Sequence, residues 1–264
     1  MSSSPTLSSL IKGAFHERPP DRSLVPAWDL SLALGVVADS PYEPMHLLDL
    51  PELTRKTVFL VAAASGRRVS EIHALSTKEG HLRFSNGAVS LLPRAGFLAK
   101  NQTLDFTPKP IVLPDLRKAS GSPDCGPWCP VRALKYYLQK TERLRLRPDG
   151  TTEDRLFLIT VSPFTPAKKS TMARWIIQVI KESLSRQESQ LAGSHVRAHD
   201  LRAQMASWAL YKGASIQEVM DAAGWSSSTT FQSVYLRDPL CAQATTSARV
   251  LSAATSGSLR KQRD

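Results

Sequence analysis

Apolar positions recur at helical spacing in "ELTRKTVFLVAAASGRRVSEIHALS", through Leu53, Val58, Val61 and Ala62. Ser65-Gly66 supplies the stop for that helix, and a second helix carries Arg68, Glu71, Ile72 and Leu75. The period then changes. "HLRFSNGAVSLLP" holds two short β-prone runs around Asn86-Gly87, a dipeptide that favours the two-residue turn of a hairpin. "IVLP", residues 111 to 114, adds a third strand after the irregular "RAGFLAKNQTLDFTPKP". Helical spacing returns in "CPVRALKYYLQKTERLRL". Pro130 opens it, since a proline suits the first helical position, and Ala133, Leu134, Tyr137 and Leu138 form the apolar face. "RLFLITV" reads as a short buried strand. Trp175, Ile176, Val179, Ile180 and Leu184 mark an amphipathic helix with "STMA" at its start. Two further helices are expected around 199–212 and 215–223, and a last one at about 241–254. The pattern predicts an α+β, mainly helical fold with a small three-stranded antiparallel sheet.

The flanks have a different texture. Residues 1–45 carry the Ser- and Pro-rich patches "MSSSPT" and "HERPPDRSLVP" around a short apolar segment, which reads as a linker with a helix remnant. Residues 46–240 form the compact region, and 241–264 a terminal helix followed by the disordered basic tail "SGSLRKQRD". There is no internal repeat. No stretch approaches the roughly 20 apolar residues of a membrane span, and the N-terminus lacks the pattern of a signal peptide. Three cysteines in 264 residues argue against a disulfide scaffold and for a reducing, intracellular compartment.

Charge narrows the picture further. Lys and Arg number 34 against 23 Asp and Glu, a net charge of +11, while hydrophobic and charged fractions of 42% and 22% are ordinary for a globular protein. Such a balance suits a polyanionic partner, nucleic acid first, although basic charge also serves simple solubility. Several polar residues interrupt otherwise apolar elements. Arg68 follows a Gly turn in "SGRRVSE". His199 and Arg202 lie three apart in "VRAHDLRAQ", at a helix start that Ser194 or Asp200 could cap. Trp225 follows Gly224 in "AAGWSSS", Tyr235 lies ten residues later, and Lys100 sits in the loop after the Asn-Gly hairpin. Two arginines, a lysine and a histidine could surround one phosphate, and a tyrosine could attack it.

These stretches resemble the tyrosine recombinases, or phage-type integrases. "AAASGRRVSEIHALS" is similar to their first arginine box. "HDLRAQMASWALYKGASIQEVMDAAGWSSSTTFQSVY" is similar to the second, with His-x-x-Arg, then Gly-Trp, then the tyrosine. The likeness spans roughly residues 50–240. "RRVSEIHALS", "PRAGFLAKNQ", "CPVRAL" and "GWSSSTTFQSVYLRD" further resemble the recombinases of DIRS-type retroelements.

The resemblance implies the recombinase catalytic fold and a site-specific recombinase or integrase that cuts and rejoins double-stranded DNA. Arg68 and Arg202 would bind the non-bridging oxygens of the scissile phosphate. Tyr235 would attack phosphorus to give a 3′-phosphotyrosine, and Lys100 would protonate the leaving 5′ oxygen. His199 would assist proton transfer, Trp225 would hydrogen-bond or pack at the phosphate, and Glu71 would orient Arg68. No cofactor and no metal would be needed, because the phosphotyrosine conserves the bond energy. A homo-tetramer would act on DNA, and a retroelement origin would place it in the nucleus. The tyrosine falls one residue farther from Trp225 than is usual in the family. Only about 50 residues precede the first arginine box, too few for the family's helical core-binding domain, so a fragment or reduced version is expected.

Other readings stay open at the level of residues. Arg67 could be the arginine of the first box, and Lys109 lies on the same segment as Lys100. Tyr235 and Trp225 suit a hydrophobic core equally well. Cys125, Cys129, His195 and His199 have tolerable spacing for zinc, but the pairs are 66 residues apart. At the level of function, the rivals are a DNA-binding relative that has lost catalysis and a type IB topoisomerase-like relaxer.

Overall fold

The computed structural model describes residues 28–99, 108–186 and 196–225, and positions 9, 13 and 17. Its centre is a helix that is apolar nearly all round. In α2 (Leu50–Ser65), Leu53, Val58, Phe59, Leu60, Val61 and Ala62 are all buried, so neighbours must cover every side. Thr54, Thr57 and Ser65 are buried too, and their hydroxyls donate to the carbonyls four residues back at 2.6–2.7 Å. The expected stop is present: Gly66 adopts φ 57°, and its N–H donates to the Ala62 carbonyl.

The covering elements come from the whole described chain. α1 (Leu30–Val37) is capped by Asp29 and packs on α6 (Lys169–Arg186), while α5 (Pro130–Thr141) and α6 lie against α2. Residues 28–45 thus join the core earlier than their linker-like composition suggests. Trp28, Val36, Val37, Tyr42 and Met45 are buried with the rest, and Gln204 donates to the Trp28 carbonyl at 2.7 Å. After α2 come the short α3 (Val69–His73) and a sheet of β1 (Leu82–Ser85), β2 (Ala88–Leu91) and β3 (Ile111–Pro114). β2 is central and both pairings are antiparallel, with Val89 opposite Phe84 and Leu113. Val89, Leu91, Ile111 and Leu113 turn inward, and β3 packs on α2 and α5. α4 (Leu116–Ala119), α7 (Ala198–Tyr211) and α8 (Ile216–Ala223) complete the described α-helices. The mainly helical architecture with one small sheet is the one the hydrophobic pattern predicts. The expected helix at 241–254 lies outside the described residues.

One expectation is corrected. Leu156, Phe157 and Leu158 in "RLFLITV" are buried, but they form no strand, only isolated bridges at Arg155 and Leu158. The backbone groups of this stretch are divided between isolated backbone partners, with the Leu156 N–H on the Leu75 carbonyl and the Ile159 N–H on the Thr165 carbonyl, and side chains. The Tyr137 hydroxyl accepts from the Leu158 N–H at 2.9 Å, and Arg145 donates to the carbonyls of Arg155 and Leu156 at 2.7 Å.

A buried ammonium ties the early segment to the centre. Lys56 of α2 is fully buried and donates to the carbonyls of Val37 and Tyr42 and to Glu43 Oε1, at 2.6, 3.1 and 2.6 Å. Arg132 of α5 joins at 3.0 Å from the same carboxylate oxygen. Burial pushes the Lys56 ammonium down to about 8, despite the opposing pull of Glu43. Burial alone would raise Glu43, but the hydrogen bond and charge of Lys56, with the Met45 N–H and Arg132, outweigh it and hold the carboxyl below its usual range. A depressed carboxyl contributes stability that is complete above its ordinary value and lost as pH falls through its folded one. Glu43→Gln is expected to lower stability at pH 7 by roughly 3 kcal/mol, as for a broken buried pair. It should also flatten the acid side of the stability curve, measured by urea unfolding between pH 7 and pH 3. An acid limb of unchanged steepness would remove Glu43 from this role.

Candidate active site

The turn Gly66-Arg67-Arg68 between α2 and α3 is the first half of the site. A Cβ at Gly66 would meet Met205 Cε at 1.7 Å and Ala223 Cβ at 3.2 Å, so the bare backbone lets α7 and α8 close onto the turn. Arg68 precedes α3, and its N–H donates to Glu71 Oε2 at 2.9 Å. Glu71 thereby fixes the backbone from which the Arg68 side chain leaves.

α7 is the second half. Arg197 precedes it, and its N–H donates to Asp200 Oδ2 at 2.9 Å, so Asp200 does contribute to the cap. Ser194 lies outside the described residues. His199 is exposed at the first turn, and Arg202, three residues later, is only 2% exposed. Arg202 Nη1 lies 3.8 Å from Glu71 Oε2, and its guanidinium carbon stands 4.0 Å above the centre of the Trp225 ring. Trp225 packs with Ala206, Val219 and Ala223 in a small second core, and its ring lies under the Arg202 guanidinium.

Arg67, Arg68, His199 and Arg202 line one cleft over a floor that includes Ala62 and Ile176. Among the described residues no acid pairs with the Arg68 guanidinium. Three guanidinium groups and an imidazole meet here around the Glu71 carboxylate, and a forked guanidinium donor such as that of Arg68 is suited to the oxygens of an anion. Of the sequence-predicted residues, Arg68, Glu71, His199, Arg202 and Trp225 thus converge. Lys100 and Tyr235 lie outside the described residues. Lys109 is exposed and sits 3.9 Å from Asp221 of α8.

The two adjacent arginines differ in what they touch. The Arg67 side chain, 9% exposed, reaches Glu71 Oε1 at 3.6 Å and turns beneath Gly224, where a Cβ would lie 2.0 Å from Arg67 Nη1. Gly224 adopts φ 68° at the end of α8. In the sequence Gly224 stands out only as the residue before Trp225; its task of making room for Arg67 carries no local signature. Cys129 is likewise engaged structurally. Its thiol donates to Asp115 at 3.2 Å and accepts from the Arg132 N–H at the start of α5. Among the described residues no group of three or more His, Cys, Asp or Glu is placed to hold a metal, and His195 lies outside them.

No protein-family model matches the sequence, and no curated protein matches it. Solved structures do match in fold. XerH site-specific recombinase bound to difH substrate in a pre-cleavage complex superposes with a TM-score of 0.54 at 16% identity, over 80% of this chain and 50% of that one. The post-cleavage complex on palindromic difH gives 0.56 at 16% identity, over 85% and 53%. XerA recombinase gives 0.53 at 19% identity, over 89% and 72%. The chain spans about half the length of the XerH chains it matches. The fold is that of a tyrosine recombinase catalytic domain.

Gly224→Ala is expected to destabilise by about 2 kcal/mol, from the left-handed backbone and from displacement of Arg67. In an Arg67→Ala background the displacement part disappears, a coupling of roughly 1 kcal/mol in a double-mutant cycle of urea unfolding. Strictly additive costs would mean that Arg67 does not occupy the space under Gly224.

Proposed function

We propose that this chain cleaves and rejoins double-stranded DNA as a site-specific recombinase of the tyrosine class. The observation that carries the reading is the shared Glu71 carboxylate. It meets the N–H of Arg68 at 2.9 Å and the guanidinium of Arg202 at 3.8 Å, bringing two arginines 134 residues apart to one cleft beside His199. That fits a scissile phosphodiester, whose two non-bridging oxygens gain charge in the transition state. The likeness in fold to recombinases captured on difH DNA, and the net charge of +11, support the same reading.

In this mechanism the phenolic oxygen of Tyr235 attacks phosphorus as its proton passes toward His199. The bond to the 5′ oxygen breaks, and Lys100 gives that oxygen a proton. The products are a 3′-phosphotyrosine and a free 5′-hydroxyl, and attack by a 5′-hydroxyl from a second duplex reverses the step. Arg68 and Arg202 hold the phosphate throughout, with Trp225 beneath Arg202. Exchange between two duplexes calls for four protomers acting in turn. The likeness of "GWSSSTTFQSVYLRD" to DIRS-type elements carries the narrower reading, integration of a retroelement in the nucleus.

The test is covalent trapping on a nicked duplex in EDTA, resolved on a denaturing gel. The wild-type chain should give a slow protein–DNA band, lost in Tyr235→Phe and reduced at least 100-fold in Arg202→Ala, as for loss of a transition-state donor. DNA binding without any band would favour the non-catalytic relative. Relaxation of supercoiled DNA without a paired site would favour the topoisomerase-like reading.

A further inference from the structure

α3 delivers Glu71 to the cleft and, at its last position, His73 to a second group of cations. Arg155 Nη2 lies 3.0 Å from Nε2 and 3.2 Å from Nδ1 of His73. The Arg155 Nε is buried with no hydrogen-bond partner among the described residues. Three separate segments meet here through their backbones. The Arg94 N–H donates to the Ala74 carbonyl at 2.8 Å, and the Leu156 N–H donates to the Leu75 carbonyl at 2.9 Å. α6 packs against α3, and its first residue is Lys169. Lys169 precedes Ile176 of the cleft floor by two turns on the same helix face, about 10 Å along the axis. Arg94 and Lys169 are both exposed, and the charges of Arg155, Lys169 and Arg94 all act on His73.

Acids do not neutralise the group. Glu153 acts on Arg155 but is held by Arg147 at 2.8 Å, which leaves Asp154 as the other carboxylate acting on that arginine. Among the described residues, Arg94, Arg155 and Lys169 are thus gathered around His73 against two carboxylates, Glu153 and Asp154, the first shared with Arg147, and the surplus of positive charge suits an anion.

We propose that His73, Arg94, Arg155 and Lys169 form a second phosphodiester site, gripping the backbone of the same nucleic acid whose scissile phosphate occupies the Arg68–Arg202 cleft. The proposal rests on the DNA-cleaving reading of that cleft and adds to it a contact remote from the chemistry, with an imidazole as one member. Burial first, and then the charges of Arg155, Lys169 and Arg94, hold His73 below the ordinary imidazole range. A docked phosphate opposes those charges and draws a proton onto the ring. Binding therefore strengthens as pH falls through the His73 titration and weakens above it.

The experiment uses the full chain and a 20-base-pair duplex of arbitrary sequence, with anisotropy followed across salt concentrations and pH. Imidazole NMR, assigned with His73→Gln, reads the His73 titration in the same samples. Lys169→Gln and Arg155→Gln should each reduce the slope of log affinity against log salt by about 0.9, one phosphate contact. Lys181→Gln, exposed farther along the same helix, should leave it unchanged. The duplex should raise the His73 pKa in the wild type and not in Arg155→Gln. Lys169 is exposed, so its variant keeps the test valid if Arg155→Gln fails to fold. Unchanged slopes, with a His73 titration indifferent to DNA, would overturn this site and leave the cleft reading standing. A wild-type chain that does not bind the duplex at all would overturn both.

Discussion

The carboxylate of Glu71 faces Arg67 with one oxygen and Arg202 with the other, at 3.6 and 3.8 Å, and the second oxygen also accepts the Arg68 N–H. Without that negative charge, two guanidinium groups would oppose each other above an apolar floor. Repulsion there is weakly screened and would push α3 and α7 apart. Its charge lets Arg202 share a small space with the adjacent pair Arg67 and Arg68, which come from a remote part of the chain. Arg68 lends Glu71 only its backbone N–H, so its guanidinium is not engaged by that carboxylate.

The same site depends on two glycines that end helices. Gly66 ends α2 and lets Met205 and Ala223 close on the turn; Gly224 ends α8 and lets Arg67 pass beneath it. Gly66 therefore bears on the helix that Gly224 terminates, and Gly224 bears on the turn that follows Gly66. The interlock sets how α7 and α8 lie over the arginine turn, and with them Trp225. Behind it, the triply bonded Lys56 ammonium pins residues 37–43 onto α2, and Arg132 extends the tie to α5. The polar groups of this fold are thus spent on joining segments, while apolar burial shapes the segments themselves.

Charge is distributed accordingly. Inside the fold, cations are matched by named partners, as Lys56 by Glu43 and Arg145 by backbone carbonyls. At the cleft and around His73 they exceed the nearby acids. Like charges gathered in this way repel one another, and a nearby anion would lower that cost. A net charge of +11 is consistent with a partner that presents many such anions in a row.

Periodicity alone determined most elements of this protein. The 3.6-residue spacing of α2, α5 and α6 and the Asn86-Gly87 hairpin are local patterns, and local sterics and burial fix them. The arginine, histidine and tryptophan positions of the cleft were legible as well, because each occupies a fixed place in a short motif. Tertiary structure decided the rest. "RLFLITV" has the apolar content of a strand, but Tyr137 and Arg145 side chains take up some of its backbone groups, and Leu75 and Thr165 take others singly. Residues 28–45 look like linker until Lys56 and Gln204 reach them. Arg67 was indistinguishable from a solvated neighbour of Arg68 until Gly224 arrived from 157 residues away. Helices and turns follow from contacts within a few residues. The partners of a buried charge or an open glycine are supplied by whichever segments the packed core brings beside them.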